Sequence, residues 1–345
     1  MTQALPQYQS GAPAVLNDSA LIDLTNLNGP TVQLSSQKLS NVYGCPIAVK
    51  EIRFFVQTDP IATGISDTGL LNPYDFGQIL TAFVSVNNVN LMQNPVHLRS
   101  LGTFLQSDLT YGIQAALIQR SPARYYEYAS TFFRWIFARP LFIPRNASFD
   151  IRIGLDHADA TNNIPPFIPA AFTQAKIDVA VVGTLQPDLQ GMMAPYPYVA
   201  EFAPPGLCPQ SASGKPAFAM GNDPIFRNVF ANPLLLSRIV ASLYQNTVNS
   251  TLGNVDVLPM FPDAVLARLW DSKGNNIAGY AGGNAIPMGL LVDPRDGNWF
   301  IERQLDQYEW LNVELATPGY TNLDNSVIMY PRVAVHGEHM QLFTP

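Results

Sequence analysis

The sequence predicts an all-β protein made of two similar β-sandwiches in tandem. Three observations lead there. Sequence landmarks recur in the same order, apolar and polar residues alternate with a period of two, and helical periodicity is sparse.

The recurrence shows first as an echo. "DVAVVG" at 178–183 returns as "RVAVHG" at 332–337. Val, Ala and Gly are common residues, so the echo carries weight only if its surroundings recur too. Upstream, "RPLFIPRNASFDIRI" at 139–153 is answered by "RQLDQYEWLNVEL" at 303–315. Aligned without a gap, Arg139 falls on Arg303, Leu141 on Leu305, and Phe149, Asp150 and Ile151 on Val313, Glu314 and Leu315. Both segments end in the alternation of a half-buried strand. Further upstream, "PIAVKEIRFFVQ" at 46–57 matches "PLLLSRIVASLYQ" at 233–245, each a Pro followed by an apolar run. Between these lie "GQILTAFVSVNNVNL" at 77–91 and "AVLARLWDSKGNNIAGY" at 264–280, each a strand, an Asn-rich turn and a second strand.

These landmarks divide the chain. Residues 46–187 form a first sandwich and 233–345 a second. Residues 1–45 are expected as an extended polar arm. The connection, 188–232, overlaps a Pro- and Gly-rich stretch at 183–224 with little periodicity, expected to pack over the surface. A repeat this long is no solenoid, whose units run about 20–50 residues. The best helix candidate is 101–120, where Leu105, Leu109, Ile113 and Leu117 make one apolar stripe. Ser121 and Pro122 after it suit an N-cap and first helical position. This small helical insertion has no equivalent in the second half.

Composition narrows the function. Hydrophobic residues make up 47% of 345, enough for a large core. Charged residues are 13%, about half the usual share, so much of the surface is expected to meet other protein. The net charge is −7 and the first basic residue is Lys38, so the arm has nothing with which to grip nucleic acid. The start of the chain has neither a basic cluster nor an apolar run, so no signal peptide is expected. No stretch reaches the roughly 18 apolar residues that span a bilayer. Cys45 and Cys208 lie far apart and are expected as buried free thiols, a disulfide being the alternative. The whole suits synthesis in a reducing cytosol.

Candidate chemistry is thin. His336 and His339 lie in "HGEHM" and invite a metal reading, but on a predicted strand their odd spacing points them to opposite faces. His157, with Asp156 and Asp159, lies in "GLDHADATNN", which lacks the spacing and closing Glu of a calcium loop and reads as a polar turn. His97 stands alone. Asp293 and Asp296 in "VDPRDGNWF" could pair as carboxylates, but the segment is dense in turn residues. Trp135, Trp299 and Trp310 fall inside predicted strands and are expected to fill a core. No nucleophile elbow, phosphate loop or dinucleotide fingerprint occurs. No catalytic, cofactor or metal residue is assigned, and no enzyme activity is expected.

The paired landmarks, "AVKEIRFFV" with "LLLSRIVASLY", "RPLFIPRNASFDIRI" with "RQLDQYEWLNVEL", and "DVAVVG" with "RVAVHG", resemble the double jelly-roll major capsid proteins of icosahedral viruses with an internal membrane, the lineage of tailless bacteriophages and adenovirus hexon. The resemblance covers most of residues 46–345 and implies two jelly rolls side by side. It implies homotrimers of pseudo-hexagonal outline that tile an icosahedral shell. It further implies a virion location, neighbouring capsomers and vertex proteins as partners, possible contact with an internal membrane, and no direct contact with the genome. Two other readings compete. One is a different virion part: a spike, a tail component or a decoration protein. The other is a two-barrel enzyme. A bicupin would need a His-x-His metal cluster, which the chain lacks, and a glycan hydrolase of this shape would more often be secreted.

Overall fold

The repeat seen in the sequence is a repeat of strand pairings. The computed structural model describes residues 10–24, 31–58, 77, 80–102, 130–156, 174–203, 218–220, 226–247, 255–256, 265–278, 285–293, 298–316 and 327–345. In chain order the first half gives β1 (Pro13–Asp23), β2 (Thr31–Gln33), β3 (Ile47–Thr58), β4 (Leu80–Val86), β5 (Val89–Asn90), β6 (Val96–His97), the short helix α1 (Leu98–Leu101), β7 (Ser130–Ile143), β8 (Phe149–Leu155) and β9 (Gln174–Leu185). The second gives β10 (Met192–Phe202), β11 (Phe218–Met220), β12 (Phe226–Arg227), β13 (Leu234–Thr247), β14 (Val255–Asp256), β15 (Leu266–Asp271), β16 (Asn276–Ala278), β17 (Ile286–Pro287), α2 (Met288–Leu291), β18 (Asn298–Leu305), β19 (Trp310–Ala316) and β20 (Val327–Phe343).

Four antiparallel sheets make two sandwiches. In the first, β1-β9-β3-β7 lies over β2-β8-β4-β5, with β6 on β4. In the second, β10-β20-β13, extended by β14 and β18, lies over a sheet in which β11 and β12 join β19, and β16 and β17 join β15. The expected all-β fold of two sandwiches is what the chain adopts. Alternation builds the first core: β8 buries Phe149, Ile151, Ile153 and Leu155 between half-exposed or exposed neighbours. Ile239, Leu243, Leu269, Val313 and Val335 anchor the second core.

The two long strands β3 and β13 are the strongest part of the repeat. Each pairs with the last strand of its half, and each carries one extra residue, Lys50 or Ser237, as a β-bulge. Ile52 therefore lies opposite Val181 as Ile239 lies opposite Val335, and Phe54 opposite Val179 as Ala241 opposite Val333. The bulge explains the glycine that closes each echo. A Cβ on Gly183 would sit 2.5 Å from the Ala48 carbonyl, and one on Gly337 would sit 2.8 Å from that of Leu235. Both glycines stand in the residue pair just before the bulge, opposite Val49 and Leu236, and each carbonyl belongs to the residue before that, so the same close approach demands glycine twice.

Two expectations need correction. The gap-free match of 139–153 to 303–315 is displaced by two residues. Asn146 and Tyr308 occupy the same turn, with φ of 62° and 66°, and their amides donate to the carbonyls of Asn41 and Asn228. Phe149 therefore corresponds to Leu311, not Val313. A two-residue slip keeps every side chain on its face, so alternation alone could not detect it. The side chains of Asn41 and Asn228 repeat too: each donates to the carbonyl four residues on, and each accepts from the amide two residues on.

The second correction concerns the arm and the connection. β1 pairs with β9 along its whole length, burying Ala14, Leu16 and Ile22, and Lys38 pairs with Asp18 at 2.7 Å. Over residues 13–23 the arm is an edge strand of the first sandwich. Residues 188–232 contain β10, which pairs with β20 as β1 pairs with β9, together with β11 and β12. Both segments hide a strand of period two behind Pro, Gly and polar residues. The helix expected at 101–120 lies outside the described residues apart from Leu101 and Gly102.

Candidate functional site: a buried polar joint between the sandwiches

The sheet of β10, β20 and β13 is buried on both faces. Tyr198, Ala200, Ala241, Val333 and Val335 turn into the second core, while Val199, Val240 and Ala334 belong to the first. That second face also carries Glu201, Arg238, Arg332, His336 and Glu338, and the first sandwich brings polar groups to meet them. β10 is held edge-on as well: the Val199 amide donates to the Leu91 carbonyl at 3.0 Å, and the Gln93 amide to the Val199 carbonyl at 2.8 Å.

At the centre lies His97, at the β6–α1 corner. Its Nδ1 lies 2.7 Å from Glu201 Oε2 and its Nε2 lies 2.7 Å from Asp156 Oδ2. Its amide also donates to Glu201, at 2.9 Å. Ser100 Oγ donates to the other Glu201 oxygen, and Arg332 approaches Asp156 at 3.8 Å. Asn94 brackets Glu201, its side chain bonded to both the amide and the carbonyl. Both His97 nitrogens face carboxylates, so an imidazolium fits. Burial and Arg332 push His97 down, but Glu201 and Asp156 outweigh them and its pKa rises above 6.5. Burial pushes Glu201 up, but His97, Arg332 and Ser100 hold it below the ordinary carboxylate value.

A second group flanks it. His336 Nε2 donates to the Ser100 carbonyl at 2.9 Å, which leaves Nδ1 to accept from Arg238 at 3.4 Å. Arg238 also donates to the Leu101 carbonyl at 2.9 Å. Burial, then Arg238, drive the His336 pKa well below 6.5, so the ring is neutral. At the far end Arg139 pairs with Glu338 at 2.5 Å.

Sequence reasoning reached part of this. His336 and His339 do point to opposite faces: His336 enters the joint, and His339 stacks on Phe230, ring centroids 3.5 Å apart, on the side of the second core. His97, which stood alone in the sequence, is the hub. Asp156 joins it, while His157, Asp159 and Asp296 lie outside the described residues; Asp293 is half-buried. Glu201 was missed. Its signal was a single charge in the otherwise uncharged run "MMAPYPYVAEF". Trp135 is buried in the first core, packed edge-on to Phe137; Trp299 and Trp310 are half-buried, with Trp299 against the second core. Cys45 is a buried free thiol, and Cys208 lies outside the described residues. Among the described residues no helix is long and apolar enough to cross a membrane.

The joint can fasten two sandwiches rigidly. A buried, paired set of charges resists sliding, because displacement would leave each charge without a partner. His97 and Glu201 are occupied with each other, and the Ser100 hydroxyl is held by the second Glu201 oxygen.

No protein-family model matches the chain, and no curated protein matches it by sequence. By structure it matches double jelly-roll major capsid proteins over nearly its full length. Against a chain of Sulfolobus Turreted Icosahedral Virus the TM-score is 0.45 at 12% identity, covering 95% of this chain and 91% of that one. Against the PBCV-1 virus capsid it is 0.45 at 9% identity, covering 99% and 97%. Against the mavirus major capsid protein it is 0.34 at 11% identity, covering 100% and 92%.

Proposed function

We propose that this chain is a double jelly-roll major capsid protein, a structural and non-enzymatic component of a virion. The observation that carries the reading is the internal repeat itself. One chain holds two sandwiches of the same strand order, and a buried polar joint fixes their relative position. Three such chains present six similar units around one axis, so a homotrimer acquires a pseudo-hexagonal outline that tiles a closed shell. Low charge, 13% of residues, supports the same reading, because a shell subunit must bury several sides against its neighbours. The proposed partners are other copies and other capsid proteins such as those at vertices, with contact to an internal membrane as a further candidate. The host is left open by this reading, a bacteriophage included.

The division into units follows in revised form. The first unit takes β1 and β2 with the strands of 46–187, and the second takes β10, β11 and β12 with those of 233–345. The test is copy number. Band intensity against particle count should place this chain among the most abundant proteins of the particle, in shell-forming numbers. A few copies per particle would contradict the shell role and favour a spike, tail or decoration protein.

A further inference from the structure

The proposed function leaves the "HGEHM" motif at 336–340 without a role. Its first histidine grips the joint together with an arginine. Two adjoining carbonyls of α1 are held from the second sandwich: His336 of β20 donates to that of Ser100, and Arg238 of β13 donates to that of Leu101. The two gripping side chains also meet each other, 3.4 Å apart, with the imidazole accepting. This arrangement holds only while the His336 ring is neutral. A proton on Nδ1 turns the acceptor into a second donor aimed at a guanidinium.

The repeat does not require such a pair. At the same register position the first sandwich sets Glu51 opposite Val182, where the second sets Arg238 opposite His336. Glu51 pairs with Arg53 and Arg134, opposite charges that persist from weak acid upward. The second sandwich instead places a permanent cation against a ring that titrates. The carboxylates of the surrounding elements are already engaged. Glu338, two residues on along β20, pairs with Arg139 of β7. Glu201 of β10 holds His97 of β6 and Ser100 of α1. Asp156, just after β8, holds His97 and stands near Arg332 of β20. α1 itself adds a further buried cation, Arg99. A proton on His336 therefore gains an anionic partner only by taking one from another cation.

We propose that His336 is an acid-released latch: protonation of its ring parts it from Arg238 and frees the β6–α1 corner from the second sandwich while both cores stay folded. The sign is fixed by the surroundings. Burial, then Arg238, hold the ring well below 6.5, so its contribution is present above 6.5 and is lost as pH falls through the lower folded value. Glu201, also held low, acts in the same direction in stronger acid. His97, whose pKa is raised, keeps its proton as pH falls and does not oppose the release. Release uncovers Leu98 and Leu101, which share one core with Val199, Val240 and Ala334. The latch belongs to the single chain and stands apart from the shell role. In a shell it would loosen the fixed relation of the two sandwiches in acid.

Hydrogen exchange on the full-length protein, corrected for the intrinsic effect of pH, separates release of the corner from unfolding. Between pH 7 and 5 the protection of residues 96–102 should fall about 20-fold, as one proton bound on opening by a group of ordinary histidine pKa requires, while that of β8 stays level. His336→Gln keeps a donor for the Ser100 carbonyl and takes up no proton, so the fall should vanish. Arg238→Gln keeps a donor for the Leu101 carbonyl without the charge, so the fall should shrink. His339→Phe, on the opposite face of β20, should leave it intact. No fall at the corner, a fall shared equally with β8, or a fall that survives His336→Gln overturns the latch. If His336→Gln does not fold, an undiminished fall in Arg238→Gln overturns it instead.

Discussion

Glu201 and His97 show how much a single residue can hold. Neither is near the other in sequence, yet each satisfies the other inside a region that excludes water. Glu201→Ala leaves His97 and Ser100 facing an empty site, and losing one partner of a buried pair costs about 3–5 kcal/mol. Chemical denaturation should show that loss. The pH dependence has a definite sign. The His97 pKa is raised, so its contribution is complete below 6.5 and fades as pH rises through the higher folded value. The gap in stability between the parent and Glu201→Gln should therefore narrow above neutrality. His339 acts the other way. Burial against Phe230 lowers its pKa to about 4, so its contribution is present above 6.5 and is lost as pH falls toward 4. His339→Phe should flatten the fall in melting temperature over that range, and an unchanged acid slope would refute the assignment.

Among the elements, β3 and β13 with their bulges govern the repeat, and glycine is the price of the bulge. Gly183→Ala and Gly337→Ala each force a Cβ against a carbonyl and should destabilise by about 1–3 kcal/mol. Gly191→Ala, whose Cβ would lie 3.4 Å from the nearest atom, serves as the milder comparison. A similar cost at all three positions would contradict the bulge account. The edge strand β1 gives another test. Leu16 and Ile22 are buried in the first core, so deletion through Asp23 should lower the melting temperature rather than leave the sandwich intact.

These elements also show what the sequence could tell. The order of landmarks was legible because the bulge and its glycine leave a fixed imprint, "VAV" followed two residues later by Gly. The face of each strand was legible because alternation reports burial. The two-residue displacement at Phe149 was not, because it preserves the face. β1 and β10 were not, because "PAVLNDSALID" and "MMAPYPYVAEF" mix turn-favouring residues into strands whose pairing is supplied by β9 and β20, far along the chain. The joint was invisible for the same reason: His97, Asp156, Glu201 and Arg332 meet only once both sandwiches have formed.

At the scale of the whole molecule, the two sandwiches differ in what they bury. The second has its outer sheet face covered by the first, whereas the equivalent face of the first carries the exposed Val15 and Asn17. On the proposed function, three such chains close into a ring of six similar sandwiches. The most direct test is native mass spectrometry of the purified full-length protein. The account predicts a species at three times the 37.8 kDa of the chain. A chain that stays at 37.8 kDa at every concentration up to precipitation would contradict it.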